Sequence, residues 1–256
     1  MNSLRESRFG EALDLLTTTA GEPAPEPAFL TRIRLRARRL VLWLRTQWAS
    51  DAAGANGLAI SHGEVDRILA DADESARAEL TFYENDPAAH DLIAPILAAD
   101  LATAGDDQIG RTRREFALGD AEVDLLTLTV AIEADPSFRR VFGYIHDDAT
   151  MALPTPWLAR QLFQWPAGTQ VGPNSNLVRW RMARPSDAQA SLWSVTASWT
   201  VDPHVASCLM HGISLDPRLA GAVRLVFAST PEANDCLYPA GAGNDDVLCA
   251  CALAGR

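Results

Sequence analysis

The sequence contains no lysine, since all 22 basic residues among its 256 are arginine. A phosphate-loop nucleotidase needs the lysine of its G-x-x-x-x-G-K-[ST] motif to reach the β- and γ-phosphates of the nucleotide. Enzymes that form a Schiff base with their substrate or with pyridoxal phosphate need a lysine amine. Both kinds of chemistry are therefore excluded within this chain.

Long apolar runs and cysteines are also scarce. No run reaches the roughly 18–20 apolar residues that a membrane span needs, and the opening MNSLRESRFGEALDL lacks the apolar core of a secretion signal. The four cysteines form no regular framework, and Cys249 and Cys251 lack the C-x-x-C spacing of redox and zinc sites. We expect a cytoplasmic protein with reduced thiols and no membrane partner.

Charge is unevenly distributed along the chain, whose net charge is −11. Residues 28–49 hold six arginines and no acid, whereas residues 51–108 hold 13 acids against two arginines, a local charge of −11. The arginines of the basic stretch can pair with the acidic segment that follows, bind a protein partner, or contact nucleic acid. Pairing within the chain is the simplest interpretation, and a nucleic-acid partner is disfavoured because an acidic protein is repelled by phosphates.

The first 110 residues are predicted to be helical in two parts. Residues 1–27 contain a short helix over 3–20 and the stiff linker GEPAPEP, and residues 28–110 form a helical unit. The basic stretch has one apolar stripe at helical spacing, and Arg32, Arg36 and Arg39 flank it as candidates for partner binding.

The rest of the helical unit has recognisable capping signals. Ser61 and Glu64 have the spacing of a capping box, and a helical stretch is predicted near 74–85. Asp86-Pro87 then predicts the start of another helix. Its expected buried face consists of Leu92, Ile93, Ile96, Leu97 and Leu101. The polar stretch 104–110 indicates a domain boundary.

Residues 111–212 predict three helices followed by a β-hairpin. The helices begin at Asp120, at Asp135-Pro136 and at Thr155-Pro156, where each capping signal precedes an apolar stripe. Strict alternation over 177–182 and 192–201, on either side of a polar turn, predicts the two strands. We expect one phase of this alternation, which contains Trp180, Trp193 and Trp199, to face the core. The alternative is a partly exposed tryptophan surface that binds a protein partner. Asp202-Pro203 predicts one more helix, ending near His211.

Three helices that lead into a hairpin make a winged-helix pattern, a relative of the helix-turn-helix. In a DNA-reading version the third helix lies in the major groove and presents Arg, Lys, Asn or Gln. Here that helix offers only Arg160, Gln161 and Gln164, and two acids precede it. The hairpin adds Arg179, Arg181 and Arg184. We therefore favour a protein-contact role, with Arg160, Arg179 and Arg181 as further candidates for partner binding.

Residues 116–220 resemble the winged-helix-bearing N-terminal region of the AAA+ ATPases encoded with extracellular contractile injection systems, which are phage-tail-like particles. The first part of the resemblance is carried by Phe116, Leu118, Glu122, Asp124, Leu125, Leu126, Glu133, Asp135, Phe138, Tyr144, Ile145, Asp147, Asp148, Pro154, Thr155, Leu158 and Leu162. The stretch SLWSVTASWTVDPHVASCLMHG-ISLDPRLAG resembles the hairpin, the following helix and its exit in the same family. The resemblance implies a winged-helix fold and protein partners, either particle components or a AAA+ ring.

The chain departs from this family in ways that bear on function. Gly119 stands where the family has a serine cap, and the arginines that follow the double aspartate are absent. The ATPase module into which the family continues is also missing, so residues 213–256 read as an extension leading towards a motor that this sequence does not contain. We expect an isolated N-terminal part or a stand-alone relative, with no ATP-site residue and no cofactor.

Two clusters could carry chemistry, and each has a structural explanation. His204, Cys208 and His211 would lie on one helix face as zinc ligands, with Cys236, Cys249 or Cys251 as a fourth, or His204 and Cys208 could form a nucleophile pair. The same helix contains Val205, Leu209 and Met210, and buried cysteine is usual in cores, so packing is preferred. Asp147 and Asp148 are expected to form a turn.

The sequence thus predicts a mainly α fold, an N-terminal helical unit followed by a winged-helix domain with one β-hairpin wing. The predicted function is that of a non-catalytic adaptor that binds protein partners. The alternatives are a winged-helix DNA-binding regulator and a small zinc protein or hydrolase.

Overall fold

A computed structural model describes residues 26–52, 65–66, 69–70, 72–187, 189–212 and 218. Its helices, in chain order, are α1 (Ala28–Ala52), α2 (Ala72–Asn85), α3 (Pro87–His90), α4 (Ile93–Ala104), α5 (Asp107–Glu115), α6 (Asp120–Ala134), α7 (Phe138–Ile145), α8 (Pro156–Phe163), α9 (Asn176–Arg179) and α10 (Pro203–His211). The strands are β1 (Ala183–Pro185) and β2 (Trp199–Val201), which form an antiparallel pair. The predicted helix at 3–20, the Ser61–Glu64 capping box and the tail beyond Gly212, apart from Arg218, lie outside the described residues.

The predicted basic helix is confirmed as α1. Its apolar stripe is buried and consists of Phe29, Leu30, Ile33, Ala37 and Leu40. The stripe joins the same hydrophobic core as α6, α7 and α8, and α1 also packs along α4. The core is therefore shared across the boundary that the polar stretch 104–110 suggested, where only Gly105 and Asp106 separate α4 from α5.

Asp86-Pro87 begins a helix as predicted, because the Asp86 carboxylate accepts from the Ala89 N–H at 2.9 Å. The helix stops after one turn and resumes as α4. The ring of Pro95, in the first turn of α4, would clash with the carbonyl of Asp91 in a continuous helix.

The predicted face of α4 is wrong in two positions. Its buried side is Leu92, Ile96, Ala99 and Thr103, at the three- and four-residue spacing of one face turned towards α1. Leu97 and Leu101 lie on the other side and are 58% and 75% exposed.

The three helices predicted for 111–163 are confirmed as α6, α7 and α8. Glu122 accepts from the Gly119 N–H at 2.8 Å at the start of α6, and the Thr155 hydroxyl caps α8 by accepting from the Leu158 N–H. Asp148 closes the turn between α7 and α8, where its carboxylate accepts from both the N–H and the hydroxyl of Thr150. The predicted turn role of the double aspartate is thus confirmed for Asp148.

The hairpin is much shorter than predicted, and its first strand was misplaced. Residues 176–179 form the helical turn α9 instead of a strand. Ser175 caps that turn, and the Glu122 carboxylate accepts from the N–H groups of Asn176 and Leu177. A local cap and a contact with α6 therefore override the alternating pattern. The strands pair only over Ala183↔Val201, Arg184↔Thr200 and Pro185↔Trp199.

The chain is mainly helical with one two-stranded hairpin, as the sequence predicts. Helix α10 begins at Pro203, where Asp202 accepts from the His204 N–H, and ends at His211 as predicted. Among the described residues, no helix combines the length and apolarity required to traverse a bilayer.

Candidate interaction surface

Helix α8 is the third helix of the three-helix-and-hairpin unit, the element that reads DNA in many proteins of this architecture. It begins at the Thr155-Pro156 cap and ends at Gln164, which adopts a left-handed conformation with φ 53°. Every residue from Pro156 to Phe163 is buried or half-buried, so the helix has no exposed side chain. It is a core helix.

Helix α1 covers one side of α8. The guanidinium of Arg36 donates to the Leu162 carbonyl at 3.2 Å, and the Arg32 guanidinium lies 4.2 Å from the centre of the Phe163 ring. The loop before β2 covers another side, since the backbone N–H of Trp157 donates to the Val195 carbonyl at 2.8 Å. Two sides of α8 are therefore covered, one by α1 and the other by the loop before β2.

A network of charged side chains fixes α1 in this position. Arg32 uses two different nitrogens, Nε to Asp100 at 2.7 Å and Nη1 to Asp124 at 2.6 Å. Arg36 Nη2 donates to the other carboxylate oxygen of Asp100, Oδ2, at 2.6 Å. The Trp165 indole N–H donates to Asp124 at 2.8 Å. One carboxylate from α4 and one from α6 are thereby tied to the same face of α1.

The two carboxyls of the network have opposite pKa shifts. Burial raises the pKa of Asp124, although Arg32 and the Trp165 N–H favour its charged form. Burial also acts to raise the pKa of Asp100, but hydrogen bonds from Arg32 and Arg36 outweigh it and lower that pKa below its usual range. Asp124 is thus the costly charge of the pair, and Asp100 is the stabilising one.

The six arginines predicted to bind partners divide into two groups. Arg32 and Arg36 carry the ion pairs just described, and Arg39 lies 4.5 Å from the centre of the Tyr83 ring. Arg160 donates through Nη2 to the Thr169 carbonyl at 2.8 Å, while its Nε is buried without a partner among the described residues. Only Arg179 and Arg181 are exposed. Asp100 confirms that arginines of the basic stretch pair with the acidic segment, and partner binding by the six remains a prediction.

Trp180 lies between the two exposed arginines. It is 48% exposed, its ring meets the Phe116 ring edge-on with 5.5 Å between centres, and the Arg179 guanidinium lies 5.4 Å from its centre. We call Arg179, Trp180 and Arg181 the Trp180 surface. Arg184 on β1 is exposed as well.

The expectation that all three hairpin tryptophans face the core was wrong for two of them. Trp199 is 1% exposed, but Trp180 and Trp193 are 48% and 60% exposed. The alternating pattern predicted that these tryptophans lie on one face of two strands. Residues 176–179 are helical and residues 192–198 form no strand, so they share no such face. Trp193 instead lies against the backbone of Gly172, where an added Cβ would be 2.7 Å from the ring.

A shallow groove of about 590 Å³ separates Trp193 from the start of α6. Trp165 and Trp193 supply its aromatic walls, and Gln170, Asn174 and Asn176 contribute amides. Of its two carboxylates, Glu122 accepts from three backbone N–H groups and Asp120 pairs with Arg113 at 2.6 Å.

The residues considered for zinc or nucleophilic chemistry lie on α10. His204 Nε2 and Cys208 Sγ are 3.4 Å apart, and His211 is exposed at the helix end. In the part of the chain that the structure describes, no three His, Cys, Asp or Glu side chains come close enough to hold a metal ion. The proposed fourth ligands, Cys236, Cys249 and Cys251, lie outside it.

The comparison with protein families gives one match. A family model described as "Winged helix domain, variant" matches residues 36–223, well over half of the chain. The match includes α2 to α10, both strands and the part of α1 that follows Leu35. No curated protein and no solved structure matches the chain.

Proposed function

Because this chain belongs to the winged helix domain family, we propose that it is a protein-interaction domain without catalytic activity of its own, and not a reader of DNA sequence. Membership of this family supports a role in binding protein or DNA. The observation that favours a protein partner is the covering of α8, which has no exposed residue.

Sequence reading by a winged helix needs side chains that reach base edges in a major groove about 12 Å wide. Of the three polar residues once expected to point outwards, Arg160 bonds to the Thr169 carbonyl and Gln161 is half-buried. Only Gln164 is exposed, and it lies past the end of the helix. Moving α1 aside would uncover Phe29 and Ile33, which are almost fully buried.

The narrower proposal is that the domain is an adaptor of a AAA+ ATPase that serves a contractile injection system. Its support is the sequence resemblance over residues 116–220, from Phe116 to the stretch after α10. In this proposal the domain binds particle components or the ATPase ring, and the motor acts elsewhere. A G-x-x-x-x-G-K-[ST] motif in the downstream reading frame would support it, and a frame without one would contradict attachment to a motor in the same chain.

The broader proposal is tested by a DNA-binding titration. We expect fluorescence anisotropy with a labelled 20-base-pair duplex (about two helical turns, the span of a paired half-site) to show no sequence-dependent binding. Any residual binding at 50 mM salt should vanish by about 200 mM, as expected for phosphate contacts alone. Gln161→Ala and Gln164→Ala are the matched variants for α8.

The DNA-binding alternative makes the opposite prediction. Tight, sequence-dependent binding that Gln161→Ala or Gln164→Ala weakens would overturn the proposal. Binding at low salt that Arg179→Ala or Arg181→Ala weakens would favour a regulator that contacts DNA through its hairpin, where Arg179, Arg181 and Arg184 are exposed.

A further inference from the structure

The Trp180 surface is built from two helix ends of the same type. Phe116 is the C-cap of α5 and Trp180 is the C-cap of α9, and the rings of these two residues are in contact. After each ring comes a residue in the left-handed region, Ala117 with φ 50° and Arg181 with φ 54°. The backbone N–H of the residue that follows then bonds back to the helix. Leu118 donates to the Arg113 carbonyl and Met182 donates to the Leu177 carbonyl, both at 2.9 Å.

Glycine is the usual residue at this position of such a helix end, because a Cβ is strained at positive φ. A glycine at position 181 would therefore adopt this backbone conformation with less strain than Arg181 does. Strained non-glycine residues concentrate at functional positions, where the side chain has a role that the backbone alone does not require. Ala117, Asp147 and Gln164 share this conformation, and Arg181 differs from them in placing an exposed guanidinium beside an exposed tryptophan.

The charges of this surface are unpaired within the described chain. Arg179 and Arg181 are exposed, and no described carboxylate lies within ion-pair distance of either guanidinium. Exposed tryptophan and arginine are the residue types that anchor protein interfaces. The surface thus fits a carboxylate-bearing protein partner that also covers an aromatic ring.

The same chain carries a matching acidic surface on other elements. Glu74, Glu84 and Asp91, on and between α2 and α4, are exposed, and we call these three residues the acidic α2–α4 surface. None of the three forms an ion pair with a described residue. Their charge is complementary to that of Arg179 and Arg181, and this complementarity favours a second copy of this chain as the partner.

We propose that copies of this protein associate head to tail, with the Trp180 surface of one copy on the acidic α2–α4 surface of the next. The proposal rests on the proposed protein-interaction function and names the partner. The two surfaces differ, so the contact is heterologous and generates a ring or a chain of copies. The net charge of −11 opposes association at long range, but at physiological salt this repulsion is screened beyond about 8 Å while close pairs persist.

The first experiment is sedimentation equilibrium of the full chain and of two glycine variants. We expect the wild-type chain to associate, and Arg181→Gly to weaken association by about tenfold or more. Ala117→Gly is the matched control, because it relieves the same strain at the neighbouring helix end and removes no charge. It should leave association unchanged, and both variants should keep or raise the Tm, which separates loss of binding from loss of folding.

The second experiment tests the head-to-tail geometry by mixing. One variant loses the basic surface (Arg179→Ala with Arg181→Gly), and the other loses the acidic one (Glu74→Gln, Glu84→Gln and Asp91→Asn). Each variant alone should be monomeric, whereas an equimolar mixture keeps one intact interface and should give a 1:1 dimer and nothing larger.

Several outcomes would overturn the proposal. They are a wild-type chain that is monomeric at all concentrations, association that Arg181→Gly leaves intact, and a mixture that contains only monomers. A monomeric chain that also fails to bind duplex DNA leaves the protein-interaction function standing with another acidic partner. Sequence-dependent DNA binding would overturn that function itself.

Discussion

His146 lies between α7 and α8 with both ring nitrogens bonded. Nδ1 is 2.8 Å from the Phe142 carbonyl and Nε2 is 2.9 Å from the Thr155 hydroxyl. A carbonyl only accepts, so the neutral ring carries its proton on Nδ1 and the Thr155 hydroxyl donates to Nε2. Burial lowers the pKa of His146, and the folded state therefore favours the neutral ring.

This arrangement predicts loss of stability in mild acid. As the pH falls below about 6.5, the unfolded chain binds a proton at this histidine that the folded chain resists, so the free energy of unfolding decreases. We expect the Tm to fall more between pH 7.5 and pH 5 in the wild-type chain than in His146→Gln. Parallel curves of Tm against pH would show that His146 does not contribute.

At the scale of elements, Asp100 joins α4 to α1 through both Arg32 and Arg36. Its lowered pKa means that its contribution is fully present above the unfolded-state pKa of about 4 and is lost as the pH falls through the lower folded-state value. Asp100→Asn should therefore destabilise the protein by roughly 1–3 kcal/mol at pH 7. The difference should shrink at pH 3.

The control for this prediction is Asp91→Asn, an exposed aspartate just before α4. Its effect on the free energy of unfolding should stay within about 0.5 kcal/mol. Urea unfolding at both pH values measures the two variants, and equal effects at pH 7 would contradict the role assigned to Asp100.

Elements whose ends are encoded locally could be predicted from the sequence. The caps at Asp86, Thr155 and Asp202 bond to N–H groups two or three residues away, so the signal and its partner lie in the same short stretch. The strand at 177–182 could not be excluded in this way, because the contact that makes residues 176–179 helical comes from Glu122, more than fifty residues earlier. The exposed side of α4 depends likewise on where α1 packs.

The interaction surface was predictable only in part, for the same reason. Arginine and tryptophan content drew attention to the basic stretch and the hairpin, but the sequence did not show which arginines are exposed. Arg32 pairs with Asp124, which is 92 residues away, and Asp124 accepts from Trp165. No local pattern marks Asp124 as the partner that holds Arg32 inwards.

At the scale of the whole molecule, the lysine-free sequence predicts no nucleotide chemistry. We expect isothermal titration calorimetry of this chain with Mg-ATP to show no binding, and phosphate release to stay at the level of the buffer blank. Turnover above the blank would contradict the non-catalytic role, and nucleotide held by arginine or backbone groups alone would contradict the argument from lysine.

The shared core predicts how fragments of the protein behave. A fragment spanning 36–223 lacks Phe29, Leu30 and Ile33, each contributing about 1.5–3 kcal/mol when buried, and leaves Asp124 without Arg32. This loss is comparable to the total stability of a typical domain. We expect the fragment to fail to fold, whereas one that begins at residue 26 folds cooperatively.

Thermal unfolding followed by circular dichroism distinguishes these fragments. A fragment of residues 111–212 should fail in the same way, because it lacks all of α1. Cooperative unfolding of 111–212 by itself would instead support an independent winged-helix unit bounded by the stretch 104–110.

The covering of α8 has a consequence for how relatives of this protein diverge. A helix that reads DNA is free to change its outward residues whenever its target sequence changes. In α8, by contrast, every residue is buried or half-buried, and the helix packs against α1 and α6. Relatives that share the covering should therefore keep the size and polarity of α8 nearly constant. Their adaptation to different partners should accumulate instead at Arg179, Trp180 and Arg181, where a new side chain disturbs no neighbour in the core.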